Sequence, residues 1–361
     1  MELILLIGGF FLLVIVGVPI AFALGISSLA VCVLMGLPIT TLINQTFHGI
    51  NSFVLLAVPF FLIAGNLMNL GGVTDRLTRL SRCLVGHIRG GLGHVNVLVS
   101  MIFAGLSGSA AADTAGVGAV LIPAMLKSGF DKPFTVAITA ASSTIGVIIP
   151  PSIPMVLYGA FGEVSIGALF LGGVIPGILV GLSQMLVVGI LAGRRHYPAH
   201  PRATLHEAAR SVWQALPPLG MPVLIIGGIV GGVFTPTEAS VVALVYGLII
   251  TMFIYREPEV SLRRLPHMLG ETVLFYSLPL ICVATSGAFG WLIAYLNGPQ
   301  LIVGFVENLS LGYYGMYAFI VLMLLLLGTF LSPIVIIIVF LPVLQGLGDI
   351  VQIHPVHLGV I

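Results

Sequence analysis

The sequence predicts an all-α polytopic membrane protein built as an inverted structural repeat, with broken helices and two re-entrant hairpins that enter from opposite sides. Three observations carry this. The 361 residues are 58% hydrophobic and 7% charged, with mean hydropathy +1.19, far more apolar than a soluble core needs. All 13 Lys and Arg fall in four short segments, Arg76–Arg89, Lys127–Lys132, Arg194–Arg210 and Arg256–Arg264. Prolines in similar apolar contexts recur about 220 residues apart, as an internal duplication requires. The pairs are Pro19 with Pro236, Pro59 with Pro279, Pro123 with Pro342, and Pro133 with Pro355.

Taken in order, Glu2–Gly17 and Pro19–Gly36 are short apolar spans, and Leu37–Ser52 is a polar connection. The N-terminus lacks a basic leader and a small-residue cleavage site, so it reads as a retained span. Phe53–Leu70 spans, and Gly71–His94 reads as a basic loop. Val95–Leu126 is apolar except for GLSGSAAADTAG at its centre, and Phe134–Tyr158 is apolar except for SSTIG and Pro150–Pro151. Ser165–Ala192, Leu216–Val233, Pro236–Tyr255 and Glu271–Leu296 are further spans. Tyr317–Leu344 is broken at GTFLSP.

Basic segments stay cytoplasmic. With the four of them inside, residues 95–126 must enter and leave on one side, as a hairpin with its tip near Ser107–Asp113. Residues 317–345 form the second hairpin, entering from outside, and the N-terminus lies outside. The first copy is 1–210 and the second 211–361; they start on opposite sides, so the repeat is inverted. Such a repeat is a transporter signature, with the site at the repeat interface and near the bilayer midplane.

Candidate site residues follow from backbone breaks at membrane depth. Neither Pro150 nor Pro151 donates a backbone hydrogen bond, so a helix from Phe134 should stop before Pro150 and a second should start near Pro151. Backbone groups freed there must line a protein cavity, and Ser142, Ser143, Thr144 and Gly146 stand beside them. The alternative is a proline kink whose hydroxyls bond back to their own helix. The first hairpin tip carries Ser107, Gly108 and Ser109. Its Gly105-Leu106-Ser107-Gly108 run also fits a serine nucleophile, but no histidine of the nine sits at a span centre to act as base; close helix packing through small residues is the other reading. Asp113, the one acid in this hairpin, either caps the second arm through the N–H groups of 114–117 or offsets a bound cation. Gly328, Thr329 and Ser332 occupy the second break. Thr235-Pro236-Thr237-Glu238 reads as a capping box. His87, His94 and His196 read as solvated or headgroup-facing, and Trp213, Trp291, Tyr313 and Tyr314 as interface anchors. Cys32, Cys83 and Cys282 show no ligand spacing, and a net charge of +1 gives no case for nucleic acid.

The stretches AVPFFLIAGNLMNLGG, VGHIRGGLGHVNVLVSMIFAGLSGSAAADTAGVGAVLIPAM, AASSTIGVIIPPSIPMVLYGA and GGVFTPTEASVVALVYGL resemble the large membrane subunit of the TRAP (tripartite ATP-independent periplasmic) transporters. The likeness runs through essentially the whole chain. It implies a multi-pass protein of the bacterial inner membrane, an elevator-type secondary transporter rather than an enzyme. It implies Na+ as coupling ion and no other cofactor, an organic-acid substrate such as a C4-dicarboxylate or sialic acid, and two partners: a small membrane subunit and a periplasmic substrate-binding protein. Carried over, Ser107–Ser109 and Ser142–Pro151 shape the sodium and substrate sites, with Na+ at Ser107, Ser109, Ser143 and Gly328. Two departures stand out: Val147 where the family pattern expects proline, and Ser332 where it usually carries aspartate. A stand-alone carboxylate symporter, which needs no binding protein, and an intramembrane hydrolase are the rival readings. The repeat also predicts that the partners of Ser142–Thr144 and Pro150–Pro151 fall beyond Ile361, so that the protein continues and these 361 residues alone do not transport.

Overall fold

A computed structural model describes residues 1–195, 197–257, 260, 265–307, 312–329 and 331–361. His196, part of the fourth basic segment and Phe330 of the second break lie outside the described residues. Among the described residues there is no strand. Seven helical segments among them are long and apolar enough to cross a membrane, and five shorter apolar helices accompany these.

In chain order the helices are α1 (Glu2–Ile15), α2 (Ile20–Leu34), α3 (Ile39–Ile50), α4 (Ala57–Leu70), α5 (Val73–Val85), α6 (Gly91–Ser107), α7 (Ala110–Lys127) and α8 (Lys132–Ser143). They continue as α9 (Ile153–Gly162), α10 (Ile166–Arg195), α11 (Leu205–Val230), α12 (Pro236–Ile249), α13 (Leu265–Tyr295), α14 (Gly298–Glu307), α15 (Tyr313–Gly328), α16 (Pro333–Ile350) and α17 (Pro355–Val360). Two stretches read as connections are helices instead. In α3, Ile39, Leu42, Ile43 and Ile50 recur at helical spacing behind a polar composition. In α5, Val73, Leu77 and Leu80 are buried while Arg79 and Arg82 are exposed and Arg76 is partly so, so a basic segment is one face of an amphipathic helix. Likewise α11 begins eleven residues before the apolar run at Leu216, because Thr204 and Glu207 form a capping box. The box at Thr235 is formed as expected: the Thr235 hydroxyl accepts from the Glu238 N–H, and the Glu238 carboxylate accepts from the Thr235 N–H at 2.8 Å.

The chain divides into two compact units. One comprises Leu56–Val156 and Ile166–Thr272, the other Met1–Leu55, Leu157–Ser165 and Val273–Ile361.

In the first of these, α6 is the central element. It is buried along most of its length from Gly91 to Ser107, with only Leu98, Met101 and Ile102 partly exposed, which its mostly apolar and small composition permits. Gly93 lies against Val188 of α10, and Gly105 against Pro222 of α11; a Cβ at either would come within 2.8 Å of that neighbour. His94 is buried here as well, 5% exposed and facing Gly189, which corrects its reading as solvated. Along α10, Leu171, Ile175, Leu179, Leu182, Leu186 and Ile190 stay exposed at three- and four-residue spacing, a stripe suited to lipid. At the start of α8, Asp131 caps the helix by accepting from the Phe134 N–H at 3.0 Å. It also pairs with Arg195 at 2.9 Å and accepts from the Tyr197 hydroxyl. Partial burial pushes this carboxyl up, but the Phe134 N–H and the Arg195 guanidinium outweigh it and hold it below the usual carboxylate range.

In the other unit, α1 and α2 pack around Leu6, Phe10 and Leu24, joined by Phe289 and Leu292 of α13. Gly49 of α3 and Gly287 of α13 bring two backbones together: a Cβ at Gly287 would lie 2.9 Å from the Gly49 Cα. Small residues allow such close helix packing in membranes. The helices α15 and α16 form a second helix–break–helix pair.

Candidate functional site

The site is built where the α6–α7 turn meets the break after α8. The α6 helix ends at Ser107, Gly108 turns the chain with φ +63°, and Ser109 starts α7 as its N-cap. The Ser109 hydroxyl accepts from the Ala112 N–H at 3.4 Å. This corrects one reading of Asp113: Ser109, not Asp113, caps the helix.

Asp113 lies in the first turn of α7 and is fully buried. Its Oδ1 accepts from the Ser107 hydroxyl. Its Oδ2 is buried with no hydrogen-bond partner among the described residues. A carboxylate oxygen at membrane depth without a donor is costly. The positive end of the α7 dipole offsets part of that cost. Against Oδ2 stands Gly146, where a Cβ would collide with the carboxylate. The absence of a side chain at 146 therefore lets the carboxylate and the break come together.

The break begins earlier than the prolines alone require. The α8 helix stops at Ser143, and Thr144–Val147 form one 3-10 turn. The Pro150–Pro151 peptide is cis, and α9 starts at Ile153. Backbone links stitch the break to the hairpin tip: the Ile153 N–H donates to the Gly108 carbonyl at 3.2 Å.

The serines of the break divide. Ser143 is buried and its hydroxyl donates to the Thr139 carbonyl at 2.7 Å; Thr144 is exposed and donates to the Ala141 carbonyl at 2.7 Å. Both therefore take the back-bonded arrangement. Ser142, besides lying 3.2 Å from the Thr139 carbonyl, joins a buried network that sequence reading missed. It donates to Asn96 Oδ1 at 2.8 Å and lies 2.9 Å from the Ser100 hydroxyl, while Asn96 Nδ2 donates to Thr139 Oγ1 at 2.8 Å. Asn96 inside an apolar run was the available signal, since a buried amide must find partners. Asn96→Ala should remove its two buried hydrogen bonds to α8, leaving the Ser142 and Thr139 hydroxyls only their carbonyls one turn back and Ser100, and cost roughly 1–3 kcal/mol, read as a lowered thermal midpoint of the purified protein.

The structure thus brings together Ser107, Gly108, Ser109, Asp113, Gly146 and Pro151, with Ser142 and Ser143 one turn away and Pro150 buried beside them. Gly328, Thr329 and Ser332 belong to the other unit. There Thr329 is exposed and back-bonded to the Leu326 carbonyl at 2.7 Å, and Ser332 stands at the N-cap of α16 without a side-chain capping bond. Among the described residues no cluster of His, Cys, Asp and Glu could hold a transition metal. The donor set at the tip is a carboxylate with hydroxyls and carbonyls, suited to a hard cation.

Comparison with known proteins gives one consistent result. The family described as "Tripartite ATP-independent periplasmic transporter, DctM component" matches residues 7–361. The chain is 39% identical over 348 residues to the sialic acid TRAP transporter large permease protein SiaM of Vibrio cholerae, covering 95% of this chain and 80% of that one. It is 39% identical over 341 residues to the C4-dicarboxylate TRAP transporter large permease protein DctM of Pseudomonas aeruginosa, covering 94% and 79%. It is 37% identical over 358 residues to the isethionate TRAP transporter permease protein DctMQ of Oleidesulfovibrio alaskensis, covering 99% and 56%.

Proposed function

This chain belongs to the DctM family of tripartite ATP-independent periplasmic transporters, which are transporters and not enzymes, and from that premise we propose that it imports an organic acid in symport with sodium. The acid is a carboxylate or related anion, as the sialic acid, C4-dicarboxylate and isethionate relatives suggest. A periplasmic binding protein delivers it, and a small membrane subunit completes the transporter, as membership of the family implies. The cycle is elevator-like, with the N-terminus in the periplasm and the two hairpins entering from opposite faces.

One observation carries the sodium assignment: the buried Asp113 carboxylate, whose Oδ2 has no hydrogen-bond partner among the described residues and faces the 3-10 turn at Gly146. A sodium ion there would compensate the charge. Ser107, Ser109 and carbonyls of the break are the neighbouring oxygen donors, and the back-bonded Ser143 keeps its lone pairs for a further contact. Gly328, Thr329 and Ser332 are the counterpart positions in the second hairpin.

The test is uptake into proteoliposomes holding the full-length protein with its small subunit. Uptake of the cognate acid should require both a sodium gradient and the binding protein, and Ser143→Ala should raise the sodium needed for half-maximal rate by several-fold with little change in yield. Uptake that proceeds equally without the binding protein would identify a stand-alone symporter. Uptake indifferent to sodium would remove the coupling ion.

A further inference from the structure

A second site lies away from the hairpin tip, on the basic face of α5. Arg76, Arg79 and Arg82 line one side of a 560 Å³ cavity, with Asn69 of α4, Thr78 and Val120 of α7 also on its walls. The three arginines are not equivalent. Arg76 is a fixed strut: it donates to the Gly72 carbonyl at 2.8 Å and to Glu257 at 2.9 Å, and its guanidinium stacks 3.7 Å above the Tyr255 ring. Arg79 and Arg82 are exposed and form no ion pair among the described residues. Glu257 is engaged by Arg76, and Asp75 is exposed at the rim, four residues before Arg79 but not paired with it. Thr78, 4% exposed, lines the same cavity, and its hydroxyl has no hydrogen-bond partner among the described residues. A buried donor with no acceptor among the described residues, flanked by two guanidinia with no anion among them, is a site suited to an oxyanion.

We propose that this cavity binds the phosphate of an anionic phospholipid, held by Arg79, Arg82 and Thr78. Position selects a lipid over a free anion. The α5 helix starts three residues after the candidate span Phe53–Leu70 ends, so it lies where headgroups lie. Leu84, on the last turn of α5, and Ile88, just beyond it, are exposed and can meet acyl chains. The segment also belongs to the basic set that charge asymmetry assigns to the cytoplasmic leaflet, where anionic lipids and basic pockets between helices meet.

The probe is short-chain phosphatidylglycerol titrated into the delipidated full-length protein in detergent. Binding is read by native mass spectrometry and by thermal shift, with phosphatidylcholine and inorganic phosphate as parallel arms. Wild-type protein should bind phosphatidylglycerol in preference to both. R79Q/R82Q should weaken that binding roughly thirtyfold, the effect of removing two arginines near an anionic surface. Thr78→Ala should weaken it by a smaller factor, and Arg89→Gln, an exposed arginine outside the cavity, should leave it unchanged. Equal binding of phosphatidylcholine, an unchanged R79Q/R82Q, or a loss in Arg89→Gln as large as in R79Q/R82Q overturns the proposal. Inorganic phosphate binding as tightly as the lipid overturns it in favour of a small-anion site.

Discussion

Asp113→Asn should separate sodium binding from folding. The substitution keeps the shape of the side chain and an oxygen to accept from the Ser107 hydroxyl, and removes only the charge. Without a bound ion the wild-type carboxylate is buried with no hydrogen-bond partner to its Oδ2 among the described residues, an arrangement that costs stability. Asp113→Asn should therefore unfold at the same temperature as wild type or higher. Adding sodium should stabilise wild type, because an ion that binds only the folded state raises its midpoint. The variant should gain nothing at sodium concentrations that saturate wild type, because its half-saturation should rise by roughly a hundredfold, about 2.8 kcal/mol, the order expected when an ionised partner is lost from a buried site. Were Asp113 a purely structural residue, Asp113→Asn would instead be destabilised equally with and without sodium. That result would reject the assignment made here.

The sequence made the broad architecture legible because two of its signals are physical necessities. A bilayer needs long apolar runs, and of the runs read as Phe53–Leu70 and Pro236–Tyr255 the first is helical throughout and the second over Pro236–Ile254. The hairpin tip was legible for a similar reason: Gly108 and Ser109 supply the left-handed turn and the N-cap that a reversal between two helices requires. Amphipathic helices were less legible. In α3 and α5 polar residues dominate the composition, and only the spacing of Leu42, Leu77 and Leu80 reveals a buried face. Partnerships at long range were not legible at all. Nothing in the order of residues states that Asn96 meets Ser142, or that Gly146 is the residue that admits the Asp113 carboxylate. Those pairings depend on how α6, α7 and α8 pack.

Gly108→Ala should abolish transport, with an effect larger than backbone strain alone can produce. Gly108 has φ +63°, a conformation that costs an alanine on the order of 1 kcal/mol. A Cβ there would also lie 2.6 Å from the Pro151 carbonyl oxygen, which belongs to backbone and cannot rotate aside. Relief requires the hairpin tip to retreat from the break, and that would pull the Gly108 carbonyl from the Ile153 N–H and shift the turn that holds Ser107 beside Asp113. Overpacking of this kind typically costs a further 1–3 kcal/mol. Gly129→Ala is the matched control: Gly129 has φ +89°, but a Cβ there meets nothing within 4 Å. Both variants should lose about 1 kcal/mol to backbone strain, yet only Gly108→Ala should lose sodium-dependent uptake in proteoliposomes at equal protein. If both variants transported equally well, the contact between the hairpin tip and the Pro151–Ile153 backbone would be incidental, and the site would have to be sought elsewhere.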